Sequence, residues 1–205
     1  MAEKPSIVSV QDLETNQAKW VSLKKILWKD HTGKQRVWEA AERRTRGSSG
    51  IDAVAILAII RSRRDAFPLS TVIIEQYRPP IDKFIIELPA GLVDEGETAE
   101  QAAIRELEEE TGYISKKVLD STALLATDPG MTTANMKLIT LEVIFDDKIE
   151  SPAQKLEEGE AIVKRVVALK SLYRELKATG FVVDARLNHF AVGLEMAERL
   201  KDSSS

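Results

Sequence analysis

The stretch that decides the fold runs from Gly91 to Tyr113, GLVDEGETAEQAAIRELEEETGY. Residues 98–111 are rich in Ala, Glu, Leu and Gln, a composition that predicts a helix. Glu106, Glu108, Glu109 and Glu110 crowd its second half. At 100° per residue, Glu110 lies about 40° from Glu106 on one side and Glu109 about 60° away on the other. Three carboxylates thus share one face, and Glu108 points away. Like charges at this spacing each cost about 0.2–0.5 kcal/mol, and the helix macrodipole disfavours anions so late in a helix. Arg105 is the only basic residue within the helix. A generic glutamate run is a solvated face. Here Ala103, Ile104 and Leu107 place the buried face beside the carboxylates, so the cluster borders the core. Hard oxygen donors with no soft ligand nearby are what Mg²⁺ or Mn²⁺ requires, and a divalent cation turns the repulsion into attraction.

The segment resembles the Nudix box. Gly91, Glu97, Arg105, Glu106, Leu107, Glu109, Glu110 and Gly112 stand at its fixed positions, and Tyr113 replaces its final aliphatic residue. The resemblance implies a magnesium-dependent hydrolase that activates water to cut a nucleoside diphosphate linked to another moiety. It implies Glu106 and Glu110 as metal ligands, with the Ala90 carbonyl as a further one. Glu109 joins as a catalytic residue, through a metal or its water. Glu97 and Arg105 are then a structural ion pair bracing the loop–helix junction.

Upstream, WVSLKKILWKD (20–30), HTGK (31–34) and QRVWEAAERR (35–44) predict strand, turn and strand, with Gly33 supplying the turn. Trp20, Trp28 and Trp38, every tryptophan in the chain, fall here on a small sheet that needs something to pack on. Residues 47–50, Gly-Ser-Ser-Gly, read as a flexible connection. Strands are expected at 53–60, 71–77, 84–88, 118–126, 137–145 and 161–169. Helices are expected at 170–178, stopped by Gly180, and at 185–200, capped by Asp184. Strands and helices mixed without strict alternation predict an α/β fold with helices on both faces of a mixed sheet. With the resemblance, the expected organisation is a Nudix α/β/α sandwich over 51–205. A small antiparallel N-terminal sheet, residues 1–50, precedes it and serves dimerisation and adenine stacking.

Composition narrows the function. The 205 residues contain no cysteine, which excludes disulfides, zinc-thiolate sites and a cysteine nucleophile. Of the two histidines, His31 sits in a turn and His189 on the last helix, too few for a multi-histidine metal site. A net charge of −4 gives no electrostatic footprint for nucleic acid. The longest apolar run, Ala53 to Ile60, is too short to cross a bilayer, and the N-terminus has no apolar signal core. The expectation is a soluble cytoplasmic protein, with a nuclear pool left open, and no nucleic-acid or membrane partner.

Beyond the box, residues 20–200 resemble the ADP-sugar pyrophosphatases, in particular the eukaryotic ADP-ribose type. Pro129 stands sixteen residues after Tyr113, as in ADP-ribose enzymes. The segments Gln76-Tyr77-Arg78-Pro79-Pro80, Glu87-Leu88-Pro89-Ala90-Gly91-Leu92 and Trp38-Glu39 followed by Arg43 and Arg44 are similar too. The residue chemistry agrees. Adenine stacks on Trp, two phosphates suit arginine forks, and a ribose needs acceptors. The expected substrate-binding set is Trp20, Trp38, Glu39, Arg43, Asp52, Arg78, Leu92 and Asp128. The resemblance implies a homodimer with adenine held between Trp20 and Trp38 of different subunits. It also implies that Glu160, on a mobile loop, is the general base, with Glu157 and Glu158 as competing choices. The expected reaction is Mg²⁺-dependent hydrolysis of ADP-ribose to AMP and ribose 5-phosphate. The alternatives are a Nudix hydrolase of another nucleoside diphosphate sugar and a non-catalytic nucleotide-binding module.

Overall fold

The unbroken apolar run from Ala53 forms the centre of the molecule, because both of its faces are covered. In the computed structural model, which describes residues 4–203, it lies in β3 (Ala53–Ser62). Val54, Ile56, Ala58 and Ile60 face one side and join a fully buried cluster with Ala103 and Leu107. Leu57 faces the other and packs among Ile73, Leu172 and Leu187.

Two strands precede this sheet. β1 (Val21–Lys29) and β2 (Gln35–Arg43) form a separate antiparallel ribbon, with Ile26 opposite Trp38 and Trp28 opposite Arg36. Its turn uses Gly33 at φ +81°, and the Asp30 side chain accepts hydrogen bonds from Thr32 N and Lys34 N at 2.9 and 3.0 Å. Residues 53–183 supply β4 (Ser70–Arg78), β5 (Lys83–Glu87), β6 (Ala90–Leu92), β7 (Lys117–Ser121), β8 (Leu125–Ala126), β9 (Asn135–Phe145), β10 (Val163–Ala168) and β11 (Val182–Val183). With β3 they make a mixed nine-stranded sheet among the described residues, along the path β11-β5-β4-β3-β9-β7. The β3–β9 and β11–β5 pairs are parallel, and the rest are antiparallel.

One edge of β3 runs against β9 for its full length, from Ala53↔Met136 to Ser62↔Phe145. The other edge is shared. β4 meets it only at Ile60, and β6 takes Ala53 to Ala55. α1 (Ala99–Thr111) covers one face of the sheet; α2 (Leu172–Ala178) and α3 (Ala185–Asp202) cover the other. This is the expected α/β/α sandwich. Asp184 caps α3 as expected, accepting from Arg186 N and Leu187 N.

Some boundaries differ from expectation. The strand expected over 118–126 is two strands, because after Ser121 the Thr122 hydroxyl, in place of a backbone carbonyl, accepts from Leu138 N of β9; a bulge between Val118 and Asp120 lies within the first of them. The strand expected to start at 161 begins at Val163, and residues 169–171 form a 3₁₀ turn ahead of α2. Neither β6 nor β11 was expected, because two- and three-residue strands have no periodicity of their own.

The exit of α1 requires a particular residue. Gly112 adopts φ +73°, and its N–H returns to Glu108 O at 2.7 Å. A Cβ there would overlap the Ala153 carbonyl. Tyr113 follows, buried, with its ring edge-on to Phe145 at 5.8 Å and beneath the Lys164 ammonium at 5.1 Å. Gly112→Ala should therefore destabilise the protein by roughly 1–3 kcal/mol through backbone strain, before counting the displaced loop. A urea midpoint equal to wild type would contradict this packing.

Candidate active site

α1 begins with a capping box. Thr98 Oγ1 accepts from Gln101 N at 3.2 Å, and Gln101 Oε1 accepts from Thr98 N at 2.8 Å. Ala99, Ala102, Ala103 and Leu107 bury one stripe against the sheet, which turns Glu106 and Glu109 toward β6. Gly91 makes that approach physically possible. A Cβ at Gly91 would fall inside the Glu106 carboxylate.

Arg105 organises the charges. Its Nε and Nη2 hold Glu97 at 3.0 and 2.9 Å, and Nη2 also donates to Leu92 O at 3.1 Å. Its Nη1 donates to Glu106 at 2.8 Å and Glu109 at 2.9 Å. The brace expected between Glu97 and Arg105 is present, and it reaches two further carboxylates. The Arg105 hydrogen bonds keep Glu97 ionised below its ordinary range.

The remaining carboxylates are strained electrostatically. Burial is the main cause that pushes Glu110 up to about 8; the negative charges of Glu106 and Glu160 add to it. A hydrogen bond from Ala90 N at 3.0 Å opposes the shift. Burial also raises Glu106; Arg105 opposes this, and Glu109 and Glu160 add repulsion. Glu160 thus lies close enough to act on both helix carboxylates. Among the described residues no three acidic or histidine side chains converge as a ready-made cation cage, since Arg105 draws Glu106 and Glu109 to itself. The donor set is nevertheless all hard oxygen, and the last turn of α1 has no basic residue to neutralise it.

These groups open into a cleft of about 630 Å³ beside the forked edge of β3. Ala90, Glu106 and Glu109 line it from one side, and Arg43 and Arg78 from another. Glu157 and Glu160 line it from the loop ahead of β10.

The model of the Nudix domain matches residues 50–186. The chain belongs to the Nudix family. It is 48% identical over 196 residues to an uncharacterized Nudix hydrolase of Schizosaccharomyces pombe, covering 94% of each chain. It is 40% identical over 190 residues to the ADP-ribose pyrophosphatase of Saccharomyces cerevisiae, covering 91% of this chain and 81% of that one. Among solved structures, an ADP compounds hydrolase matches with TM-score 0.61 at 21% identity, over 98% of this chain and 96% of that one, which shows the shared fold.

Around this Nudix box the expected residues divide. Ala90, Leu92, Arg43, Arg78, Glu106, Glu109 and Glu160 all line the cleft, and Glu110 lies buried beneath it, bonded to Ala90 N. Trp20, Trp38, Glu39 and Asp128 are exposed and do not line the cleft of the single chain. Trp38 Nε1 donates to Gly130 O at 3.1 Å, beside Pro129. Glu158 does not line the cleft either. Asp52 corrects its expected role as a ribose acceptor. It is buried, and its two oxygens accept the Arg46 fork at 2.8 and 2.7 Å and Asn135 N at 3.0 Å. Burial alone would raise its pKa, but Arg46 and Asn135 outweigh that and hold it below the ordinary value. Asp52 therefore fastens the start of β3 to β9 and to the segment leaving β2.

Sequence reasoning missed Glu87 and Arg186. Glu87 holds Arg78 Nε at 2.7 Å. Arg186, held by Asp184 at 2.7 Å, reaches the cleft because β11 pairs with β5 and Asp184 N bonds Ile86 O. No local signal in the chain announces that long-range placement.

Two measurements test this geometry. Glu110→Gln should lose at least ~10²-fold in kcat, because it removes a hard-oxygen donor beside the cleft, yet leave the fold intact. A raised carboxyl pKa means that the metal-free protein loses stability as pH rises from the ordinary carboxylate range through about 8. Glu110→Gln should flatten that slope in melting curves; an unchanged slope would contradict the buried charge.

Proposed function

We propose that the chain hydrolyses the diphosphate of ADP-ribose, and of related ADP-sugars, to AMP and ribose 5-phosphate. One observation carries this reading. A single cleft joins the intact carboxylates of α1 to Arg43 and Arg78, which arrive on strands from separate parts of the chain. Its volume suits a nucleotide-sized ligand, and guanidinium forks suit a diphosphate. The yeast ADP-ribose pyrophosphatase, similar over most of the chain, supports the substrate class.

Glu106, Glu109 and Glu110, with the Ala90 carbonyl, would hold a divalent cation, Mg²⁺ first and Mn²⁺ second. When bound, the cation supplies positive charge to the phosphoryl oxygens and makes water more acidic. Arg105 orients Glu106 and Glu109 for that task. Glu160 accepts the proton of the attacking water. Its charge acts on both Glu106 and Glu110, and its carboxylate accepts a hydrogen bond from Glu157 N at 3.0 Å. Arg78, oriented by Glu87, and Arg43 bind the diphosphate oxygens. The work of these side chains is positioning and charge stabilisation.

We assign the N-terminal region, residues 1–50, to assembly of a homodimer. Both faces of the β1–β2 ribbon carry exposed apolar side chains: Ile26, Trp28 and Trp38 on one, Leu23, Leu27 and Val37 on the other. A two-stranded ribbon cannot hold its shape in water on its own, and an apolar surface of this kind calls for a partner. Adenine then stacks on Trp38 of one subunit and Trp20 of the partner subunit, each ring contributing about 0.5–1.5 kcal/mol.

A panel of nucleoside diphosphate sugars with Mg²⁺, read by AMP release, tests the substrate class. ADP-ribose should head the panel, and activity in EDTA should vanish. Equal rates on non-adenine substrates would refute the adenine assignment. Glu160→Gln should lower kcat by ~10²–10⁴-fold with little change in KM; an inactive Glu157→Gln beside an active Glu160→Gln would move the base to Glu157. Trp38→Ala should raise KM by about tenfold or less and affect kcat less, since stacking is present in both ground and transition states. Light scattering should give twice the 22.8 kDa chain mass; a monomer that is fully active would overturn the assembly.

A further inference from the structure

The four C-terminal carbonyls of an α-helix have no partner inside the helix. In α1 each of them is taken, and the partners form a pattern. Glu108 O accepts from Gly112 N at 2.7 Å. Glu109 O accepts from Lys155 N at 2.8 Å, and Glu110 O accepts from Gln154 Nε2 at 2.6 Å. Thr111 O accepts from Lys164 Nζ, whose ammonium also binds Pro152 O. Three of these donors flank the loop that presents Glu157 and Glu160 to the cleft. The helix that carries the metal-site carboxylates is thus capped by the segment that carries the base.

Gln154 occupies the decisive position in that segment. Its half-buried amide donates a second hydrogen bond, to Ile162 O at 3.0 Å. The amide has two N–H groups: one reaches the helix, the other reaches the far end of the loop. Residues 155–161 are therefore a closed loop whose neck is tied by the Gln154 amide, with Lys164 making a second tie outside it, to Pro152 O. Beyond the neck, Lys155 is fixed to α1 through its N–H on Glu109 O and its ammonium on Glu108, and the tip of the loop is held by itself. Glu160 N bonds Glu157 O at 3.1 Å, Glu157 N bonds the Glu160 carboxylate, and Gly159 turns the chain at φ +90°. The depth at which Glu160 enters the cleft then depends on Gln154, which joins both ends of the loop and does not itself line the cleft.

We propose that Gln154 is a positioning residue for hydrolysis, fixing the distance between the α1 carboxylates and the Glu160 loop through its two amide hydrogen bonds. The inference rests on the assignment of the base to this loop. Gln154→Glu keeps the shape but can donate neither bond, and it turns a carboxylate toward Ile162 O and toward Glu110 O at the negative end of the helix. Gln154→Ala removes the tie without adding charge.

The test combines steady-state kinetics on ADP-ribose with amide hydrogen exchange, for Gln154→Ala and Gln154→Glu alone and combined with Glu160→Gln or Glu157→Gln. Each Gln154 variant should lower kcat by about tenfold or more while KM changes by less than about twofold. Exchange in 155–161 should speed up while that of α1 stays slow. In the background of the variant that removes the base, the Gln154 effect on kcat should disappear, since a group acting through the base has nothing left to position. A purely structural role would instead lower kcat equally in every background, and that result overturns the proposal, as does unchanged exchange in the loop. If Glu160→Gln and Glu157→Gln both keep wild-type kcat, the base assignment falls, and this inference falls with it. If one of them is inactive and the Gln154 loss persists undiminished in it, only this inference falls.

Discussion

A single guanidinium holds the site together. Arginine has five N–H donors in a rigid fork, and Arg105 uses them on Glu97, Leu92 O, Glu106 and Glu109. Without it, Glu106 and Glu109 would repel each other and the buried Glu110, with no basic residue in the last turn to offset them. Lysine cannot substitute, because a point charge on a flexible stem cannot reach all of these acceptors at once. The loop from Leu92 to Glu97 and the helix that follows are therefore one electrostatic unit, built around a side chain that also lines the cleft.

The sheet places that unit. Since β6 takes only the first residues of β3 and β4 touches only Ile60, the edge of β3 forks. Ala90 and Gly91 run along the fork, where the absence of a side chain at Gly91 lets the Glu106 carboxylate come in. Arg78 at the end of β4 and Glu87 at the end of β5 form an ion pair across their own ladder and face the same cleft. The cleft is lined from the ends of strands and from one helix, and the loop ahead of β10 lines the remaining side.

Much of this was legible in the chain. The spacing of Glu106, Glu109 and Glu110 put three carboxylates on one face, and the composition of residues 98–111 announced the helix. The apolar run at 53–60 announced a strand, and Gly33 between β-forming segments announced the ribbon. Other features depend on partners far away in sequence. Asp52 looked like a free acceptor until Arg46 and Asn135 closed on it, and a lone aspartate carries no mark that distinguishes a clamp from a ligand. Arg186 looked like the first turn of an ordinary helix, because only the β11–β5 pairing carries it to the cleft. Gln154 has no motif at all. Its role arises from two carbonyls, and backbone acceptors leave no trace in side-chain identity.

The parallel pairing of β3 with β9 has a consequence for biogenesis. Residues joined across that pair stand 83 positions apart, as Asp52 and Asn135 do. At a synthesis rate of about 5–20 residues per second, the most apolar strand of the molecule leaves the ribosome several seconds before its full-length partner exists. Antiparallel neighbours cannot shelter it in the meantime, since β4 and β6 together touch only four of its residues. Non-local pairing of this kind slows folding and prolongs the exposure of a sticky edge. During synthesis, then, the stretch most open to aggregation is β3, the same strand that is best protected once the fold is complete.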